Sequence, residues 1–503
     1  MQLPLRRRVA PDLALILLLL IAPLLMFHQQ TLGGRTLLPS ENLFQHLPYS
    51  AYREVARAPA TPHNHLLSDM VLQNLQWKSF IRAQMAQGEL PLWNPHQFAG
   101  VPFFAAGQHS ALYPLSVIYY LMPLSAAYGW FILLNLWLAG MFMAGFMRAL
   151  GLGLADAGLA GITYQLSGFL IASAVFPMIV AAAVWLPLIL WMIENILRGR
   201  SLWIFRGTAL LWVVIGAIAV GCNILAGHIE LTVYTLLIAG YYAAFRLVWG
   251  FARRWREGGR PPLRWAATTA AWLMALAALG IGLAALQLIP LYEFVGSNWR
   301  AERASLERVL GYAHPPRDFL QFLLPNFFGS PAHHSYVDAF SGELISDLRN
   351  TVGLRRDFIY WGVKNYVEGA LYVGVLPLLL ALYGLFKGVW RREMAPYVIL
   401  FGALALLALA FMFGTGAYSL VFHLPGMNQL NSPFRWVFAL TLAIAALAGI
   451  GLNVLSQGVG GRSRLASGFG LLILVAGLAL ILGLGLIFAG FARFAPMLDQ
   501  LVL

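Results

Sequence analysis

The chain has 503 residues, of which 60% are hydrophobic and only 11% charged, with a mean hydropathy of +0.72. Soluble domains carry about a quarter charged residues, so this composition excludes a disordered chain, a secreted disulfide scaffold and an ordinary soluble enzyme. The net charge of +13 would suggest a nucleic-acid partner in a soluble protein, and the single Cys222 permits neither an internal disulfide nor a cysteine metal cluster.

A membrane span needs about 20 mainly apolar residues. Eleven stretches qualify, at roughly 12–28, 126–147, 154–174, 177–197, 205–225, 229–249, 265–290, 369–386, 395–413, 436–455 and 467–491. With the N-terminus inside, 18 of the 33 basic residues but only five of the 20 acids fall on the inner side, among them Arg6 to Arg8, Arg253, Arg254, Arg256, Arg391 and Arg392. The whole net charge of +13 is then cytoplasmic. This is the positive-inside pattern, which removes any reason to invoke nucleic acid and predicts a cytoplasmic N-terminus and an external C-terminus. No small-x-small cleavage site follows Phe27, so the first span reads as an uncleaved anchor. The expected fold is an all-α polytopic membrane protein. Residues 1–455 form one transmembrane domain, and 456–503 add a last helix and a short external tail.

Two outer connections, 29–125 and 291–368, are far longer than ordinary loops. They are too rich in Trp, Tyr, Phe and Pro for disorder. Function is therefore expected on the external face. In the first connection, Met70 to Gln87 contains no Pro or Gly, and Met70, Trp77, Ile81 and Met85 share a stripe that Asn74 interrupts. An interfacial helix is predicted there. Asp69 stands just before it, where a carboxylate serves either as an N-cap or as a reactive group. The run Pro91-Leu92-Trp93-Asn94-Pro95 forbids a helix and predicts a rigid turn. Its Trp beside an amide suits a sugar ring, and suits equally an anchor in the headgroup layer.

The order S-D-x-V-L-Q from Ser68, G-E-L-P-L-W-N-P from Gly88, F-A-G-x-P from Phe98 and A-x-Y-P-L from Ala111 resembles the YfhO family of bacterial membrane proteins. Further matching points are Ala226-Gly227-His228, Leu286-Gln287-Leu288-Ile289-Pro290, Leu324 to Gly329, Tyr372 to Pro377, Leu424-Pro425-Gly426 and Ser432-Pro433-Phe434-Arg435. The similarity runs from about residue 38 to 455, with W-N-P its most specific part. Glu41 departs from it, in a position where relatives would carry Asp.

The resemblance implies a GT-C-like glycosyltransferase of the bacterial cytoplasmic membrane. Such an enzyme takes a sugar from a polyprenyl-phosphate carrier and passes it to an envelope glycan or lipid acceptor outside. That class places an acid of the first external loop at the active site, which carries over to Asp69 first and Glu41 second. One carboxylate can deprotonate the acceptor hydroxyl and stabilise an oxocarbenium-like state, while an Arg near the departing phosphate offsets its growing charge. Gln73, Trp93, Asn94, His228, Glu230, Glu293, Arg300 and Arg435 are the expected substrate contacts, with Arg303 a further cation. Each arginine taken singly also suits snorkelling to lipid phosphate.

No metal site is predicted. His228 and Glu230 are two apart and point about 200° from one another on a helix, so they cannot ligate one ion together. His333, His334 and Asp338 form a polar loop cluster, and Phe358 to Trp361 and Glu368 close the second connection, where aromatic anchoring competes with lining the acceptor. No motif supports a divalent cofactor. No GxGxxG, Walker A or HExxH pattern occurs, which disfavours a nucleotide-driven pump, a dinucleotide enzyme and a zincin. The rival readings are a lipid-carrier or polysaccharide transporter and a non-catalytic envelope assembly protein. Transporters favour inverted repeats and midplane charges, and the sequence displays neither.

Overall fold

The computed structural model describes residues 6–60, 62–200, 208–296, 304–331, 335–337, 342, 344–346, 366–424, 427–430 and 432–459. In hydrocarbon no backbone N–H or C=O can go unpaired, so the apolar runs fold as helices. Seven are long and apolar enough to cross a membrane: Leu124–Leu150, Leu154–Val175, Pro177–Leu197, Ile229–Gly258, Leu263–Leu283, Ala395–Met412 and Pro433–Gln457. Four shorter apolar helices accompany them, Pro11–Met26, Leu210–Leu225, Ala285–Val295 and Val375–Gly388. Ten of the eleven expected spans correspond to these helices, and the eleventh, 467–491, lies outside the described residues. The chain is a multi-pass, all-α membrane protein.

The differences lie where the backbone is interrupted. The expected span 265–290 is two helices, Leu263–Leu283 and Ala285–Val295, broken at Ala284 (ψ 3°), with Pro290 inside the second. The stretch 369–386 becomes helical only at Val375, because Gly374 adopts φ +93°. Pro177–Leu197 and Pro433–Gln457 are each 89% buried within the protein and form its centre, whereas Leu263–Leu283 is 17% buried and peripheral. Where Val375–Gly388 meets the helix Val437–Val459, Gly384 and Gly451 face backbone. A Cβ at Gly451 would overlap the Leu380 carbonyl oxygen and one at Gly384 that of Leu447. Small residues let the two helices touch through their main chains, the packing that membranes favour.

Among the described residues, two ends of the bundle can be told apart. One end, the loop end, carries the first long connection and the described parts of the second. At the other, the arginine end, helices close at Leu150, Leu197 and Gly258. The arginine end is tied together by Glu194, which is fully buried. Arg198 and Arg246 reach its Oε1 at 2.6 and 2.9 Å, Tyr242 donates to Oε2 at 2.7 Å, and the Tyr397 hydroxyl donates to Oε1. Arg198 and Arg200 also donate to the carbonyls of Leu150 and Ala149, at 3.3 and 2.8 Å. Three of the long helices are thus joined by one carboxylate.

Candidate functional site

The first connection folds into a platform at the loop end. Its helix Leu75–Ala86 is preceded by a wider π turn over Met70–Asn74. Met70 and Ile81 of the expected stripe are buried. Asn74, the polar interruption, is buried too, and accepts the Tyr128 hydroxyl at 2.7 Å. Asp69 precedes the π turn without capping it, since its backbone is already helical and its side chain makes no capping bond. That corrects the N-cap expectation. The exposed carboxylate instead lies 3.5 Å from the Gln73 amide. Glu41 accepts from His63 at Nδ1 (2.5 Å) and at the backbone N–H (2.9 Å). The two acidic segments meet through Asn42, whose Nδ2 donates to Ser68 Oγ at 3.2 Å and to Asn64 O at 2.8 Å. The residues flanking Glu41 and Asp69 are therefore bonded together.

The W-N-P segment is not helical, as expected, but where a rigid turn is predicted Trp93–Asn94 is a short strand. Trp93–Asn94 pairs antiparallel with Val101–Pro102. Gly100 (φ +117°) lies under the Trp93 indole, where a Cβ would come within 2.6 Å of Nε1, so only glycine fits. Trp93 is half exposed. Asn94 is buried and occupied within the turn, accepting from His96 N at 3.0 Å and donating to Gln97 Oε1 at 3.3 Å. Its amide positions the hairpin. Phe103 then packs against Phe80 and Trp77 and gives the platform a small core of its own.

Sequence reasoning missed a residue at the heart of this platform. Lys78 is buried, donates from Nζ to His109 O at 2.5 Å, and sits 4.5 Å over the Tyr119 ring. Burial lowers its pKa to about 7. Burial also lowers His109 to about 4. The ring is thus neutral, accepting Ala111 N at Nδ1 (3.1 Å) and directing Nε2 at Phe104 O (3.1 Å). Lys78 stands at the edge of the apolar stripe, four residues after Asn74 and seven before Met85, and its partners His109 and Tyr119 come from beyond the hairpin.

The platform docks on the bundle through two of the motif segments. Ser110 Oγ donates to Ala226 O at 2.7 Å, and Gln287 Nε2 to Phe104 O at 2.7 Å. Gly227 (φ +86°) lies so close that a Cβ would overlap Gly107 O. Just beyond, His228 Nδ1 caps the helix Ile229–Gly258 by accepting Leu231 N at 3.2 Å. Glu230 on its first turn pairs with Arg435 at the start of the span Pro433–Gln457. Tyr234 donates to Glu230 at 3.1 Å and lies 3.1 Å from Ser432 O. A second pair missed by the sequence is close by. His314 and Asp318 are buried, 2.6 Å apart, and His314 packs on Phe434, the neighbour of Arg435. Among the described residues, His314 Nε2 and Asp318 Oδ1 have no hydrogen-bond partner. The signal that could have found them is the i, i+4 spacing in a Pro-flanked segment.

Glu293 is exposed at the end of an apolar groove of about 440 Å³ lined by Ile281, Gly282, Ala285, Leu288, Ile289 and Tyr292. Asp69 with Gln73, and Glu230 with Arg435, belong to separate clusters. Arg300, Arg303, His333, His334, Asp338 and Phe358 to Trp361 lie outside the described residues, as does the Glu368 side chain. Among the described residues no group of three or more His, Cys, Asp or Glu could hold a metal ion.

Fold and site together define a multi-pass helical membrane protein with a folded platform over one end of its bundle. A family model described as "Bacterial membrane protein YfhO" matches residues 46–340, which include the platform from residue 46 onward and its docking points at Ala226 and Gln287, but not Glu41 and Asn42. The chain belongs to the YfhO family. Comparison with curated proteins and with solved structures gives no match.

Proposed function

We propose that this protein is a glycosyltransferase that takes a sugar from a polyprenyl-phosphate carrier and passes it to an envelope acceptor on the extracytoplasmic face of the bacterial inner membrane. The observation that carries the reading is the groove at the loop end. It is apolar, faces outward from the bundle, ends at Glu293, and flanks Gln287, the residue on which the platform docks. A carrier with a long isoprenoid tail needs such a slot to keep its tail in lipid while its sugar reaches a polar platform. Asp69 supplies an exposed carboxylate on that platform, with Gln73 beside it. Glu41, which His63 holds, and the half-exposed indole of Trp93 are the further proposed contacts to the sugar.

In the reaction the acceptor oxygen attacks the anomeric carbon and its proton passes to the Asp69 carboxylate. The bond from that carbon to the phosphate oxygen breaks, and polyprenyl phosphate leaves with the electron pair. His228, Glu230 and Arg435 are the proposed contacts on the bundle side, where Arg435 is held by Glu230 until a phosphate competes for it. Arg300 completes the proposed contacts.

The test is release of labelled sugar from a polyprenyl-phosphate hexose by protein reconstituted in liposomes. Asp69→Asn is expected to lower transfer by about 10²- to 10⁴-fold with the fold intact. Normal transfer by that variant sinks Asp69 as the base. Absence of release by wild type with every common hexose sinks the enzyme reading and favours a transporter or an assembly protein.

A further inference from the structure

At the arginine end a cavity of about 1150 Å³ opens between the helix ends. Seven arginines line it against two glutamates, Glu257 and Glu393. Counting Glu194 beneath, an excess of four positive charges remains. Arg198 and Arg246 answer Glu194, and Arg253 answers Glu257 at 2.8 Å. Among the described residues, that leaves Arg200, Arg254, Arg256 and Arg392 without a carboxylate in salt-bridge contact. A positive-inside bias asks only that arginines lie at this end. It does not require those following Leu197, those closing Ile229–Gly258 and the one at Arg392 to converge on one concave surface. Bringing like charges together costs electrostatic energy, which a bound anion would offset.

The cavity does not end at the charges. Trp249 and Ala252 belong both to its wall and to an apolar groove of about 430 Å³ lined by Tyr241, Ala244, Phe245 and Val248. Phe245 and Trp249 stack with ring centroids 5.9 Å apart, which gives the groove a flat floor. The two together have the shape of an amphiphile, an anionic head next to an apolar chain. A free phosphate would use the cavity alone.

We propose that the arginine cavity and its adjoining groove bind one anionic phospholipid, the phosphate head among Arg200, Arg254, Arg256 and Arg392 and an acyl chain along Phe245 and Val248. The site lies at the opposite end of the bundle from the platform and is independent of sugar transfer. Guanidinium groups suit it because their planar forks bind phosphate oxygens in pairs.

The full chain, purified in a neutral detergent, would be titrated with dioleoyl phosphatidylglycerol and with dioleoyl phosphatidylcholine, and bound lipid counted by native mass spectrometry. Wild type is expected to retain one phosphatidylglycerol in preference to phosphatidylcholine. Arg256→Gln/Arg392→Gln should weaken that binding at least about tenfold. Val248→Trp, which fills the groove without touching the charges, should weaken it several-fold. Arg260→Gln/Arg264→Gln removes two arginines of the same end that do not line the cavity, and should change it less than twofold. All these side chains are wholly or partly exposed, so the variants are expected to fold. Three results would overturn the proposal: no preference for phosphatidylglycerol, equal losses in the cavity and control pairs, or Val248→Trp without effect while millimolar inorganic phosphate displaces the lipid. The last would mark a free-anion site, and equal losses a diffuse surface charge.

Discussion

Glu194 at the arginine end and Lys78 in the platform are both ionisable groups shut away from solvent, at 0% and 2% exposure. Their surroundings are built differently. Glu194 meets two guanidinium groups and two phenol hydroxyls, so each carboxylate oxygen is answered by charge and by hydrogen bonds. Lys78 has one carbonyl oxygen and the face of one aromatic ring. Partners of that kind cannot repay the lost hydration of an ammonium, and its pKa falls to about 7. The bundle keeps its buried charge by compensation, whereas the platform keeps its buried lysine by letting the charge go. The helical end is built to be indifferent to pH, and the end that carries the proposed chemistry is built to respond near neutrality.

The strongest way to break this contrast is Glu194→Ala. It leaves Arg198 and Arg246 pointed at a site without a counter-charge, and losing one member of a buried pair costs about 3–5 kcal/mol. Thermal unfolding in detergent should move down accordingly. A shift comparable to that of a surface substitution would mean that the tyrosines and water carry the arginines unaided.

Gly227→Ala tests whether the two regions are separate units that meet at a defined seam. The residue has φ +86° and its Cβ would run into Gly107 O, with Ser110 Oγ at 3.1 Å. Backbone strain of about 1–3 kcal/mol is expected. It should be expressed as faster proteolysis within 29–125, with the Glu194 end unaffected. Uniform loss of stability across both regions would show that the platform does not fold apart from the bundle.

How much of this was legible beforehand follows from which interactions are local. Ten spans could be read because a run of apolar residues states its own burial. The breaks at Ala284 and Gly374 were missed because a single backbone angle, not composition, ends those helices. The segment around Trp93 was recognisable as non-helical from its prolines, but its partner strand Val101–Pro102 was not, since pairing depends on a turn in between. Asp69, Gln73 and Glu41 were named and are brought near one another by Asn42, which was not. In the sequence Glu194 is only one of the five acids on the inner side. Its spacing to Arg198 hinted at a pair, yet Arg246 and Tyr397 come from other helices. His314 and Asp318 went unread for the same reason, because their burial is made by Phe413 and Phe434.

Lys78→Met sharpens the contrast at the platform. Above about pH 10.5 lysine is neutral in both the folded and unfolded chain, and below about pH 7 it is charged in both. In between, the unfolded state holds a proton that the folded state has lost, so platform stability rises with pH, by at most about 1.4 kcal/mol per unit. Protease resistance of the 29–125 connection should therefore increase from pH 7 towards pH 10 in wild type. In Lys78→Met that slope should vanish. An unchanged slope would assign the effect to another group and end the comparison with Glu194.

The smallest expected effect isolates burial as the variable. Arg253 and Glu257 are four residues apart on one helix, as Glu194 and Arg198 are, and their contact of 2.8 Å is almost as short as the 2.6 Å of the buried pair. Their side chains are 69% and 62% exposed, however, against 29% and 0%. Water already solvates both groups, salt screens them, and holding two long side chains together costs entropy, so such a pair contributes no more than about 0.5 kcal/mol. Arg253→Gln in neutral detergent should thus leave the unfolding temperature nearly unchanged, beside the several kcal/mol lost in Glu194→Ala. If the two substitutions had similar effects, the charge pairing itself would carry the stability at both places. A clear separation would assign the difference to the tyrosines, the second arginine and the exclusion of water around Glu194, features that neither the spacing nor the distance of the pair reveals.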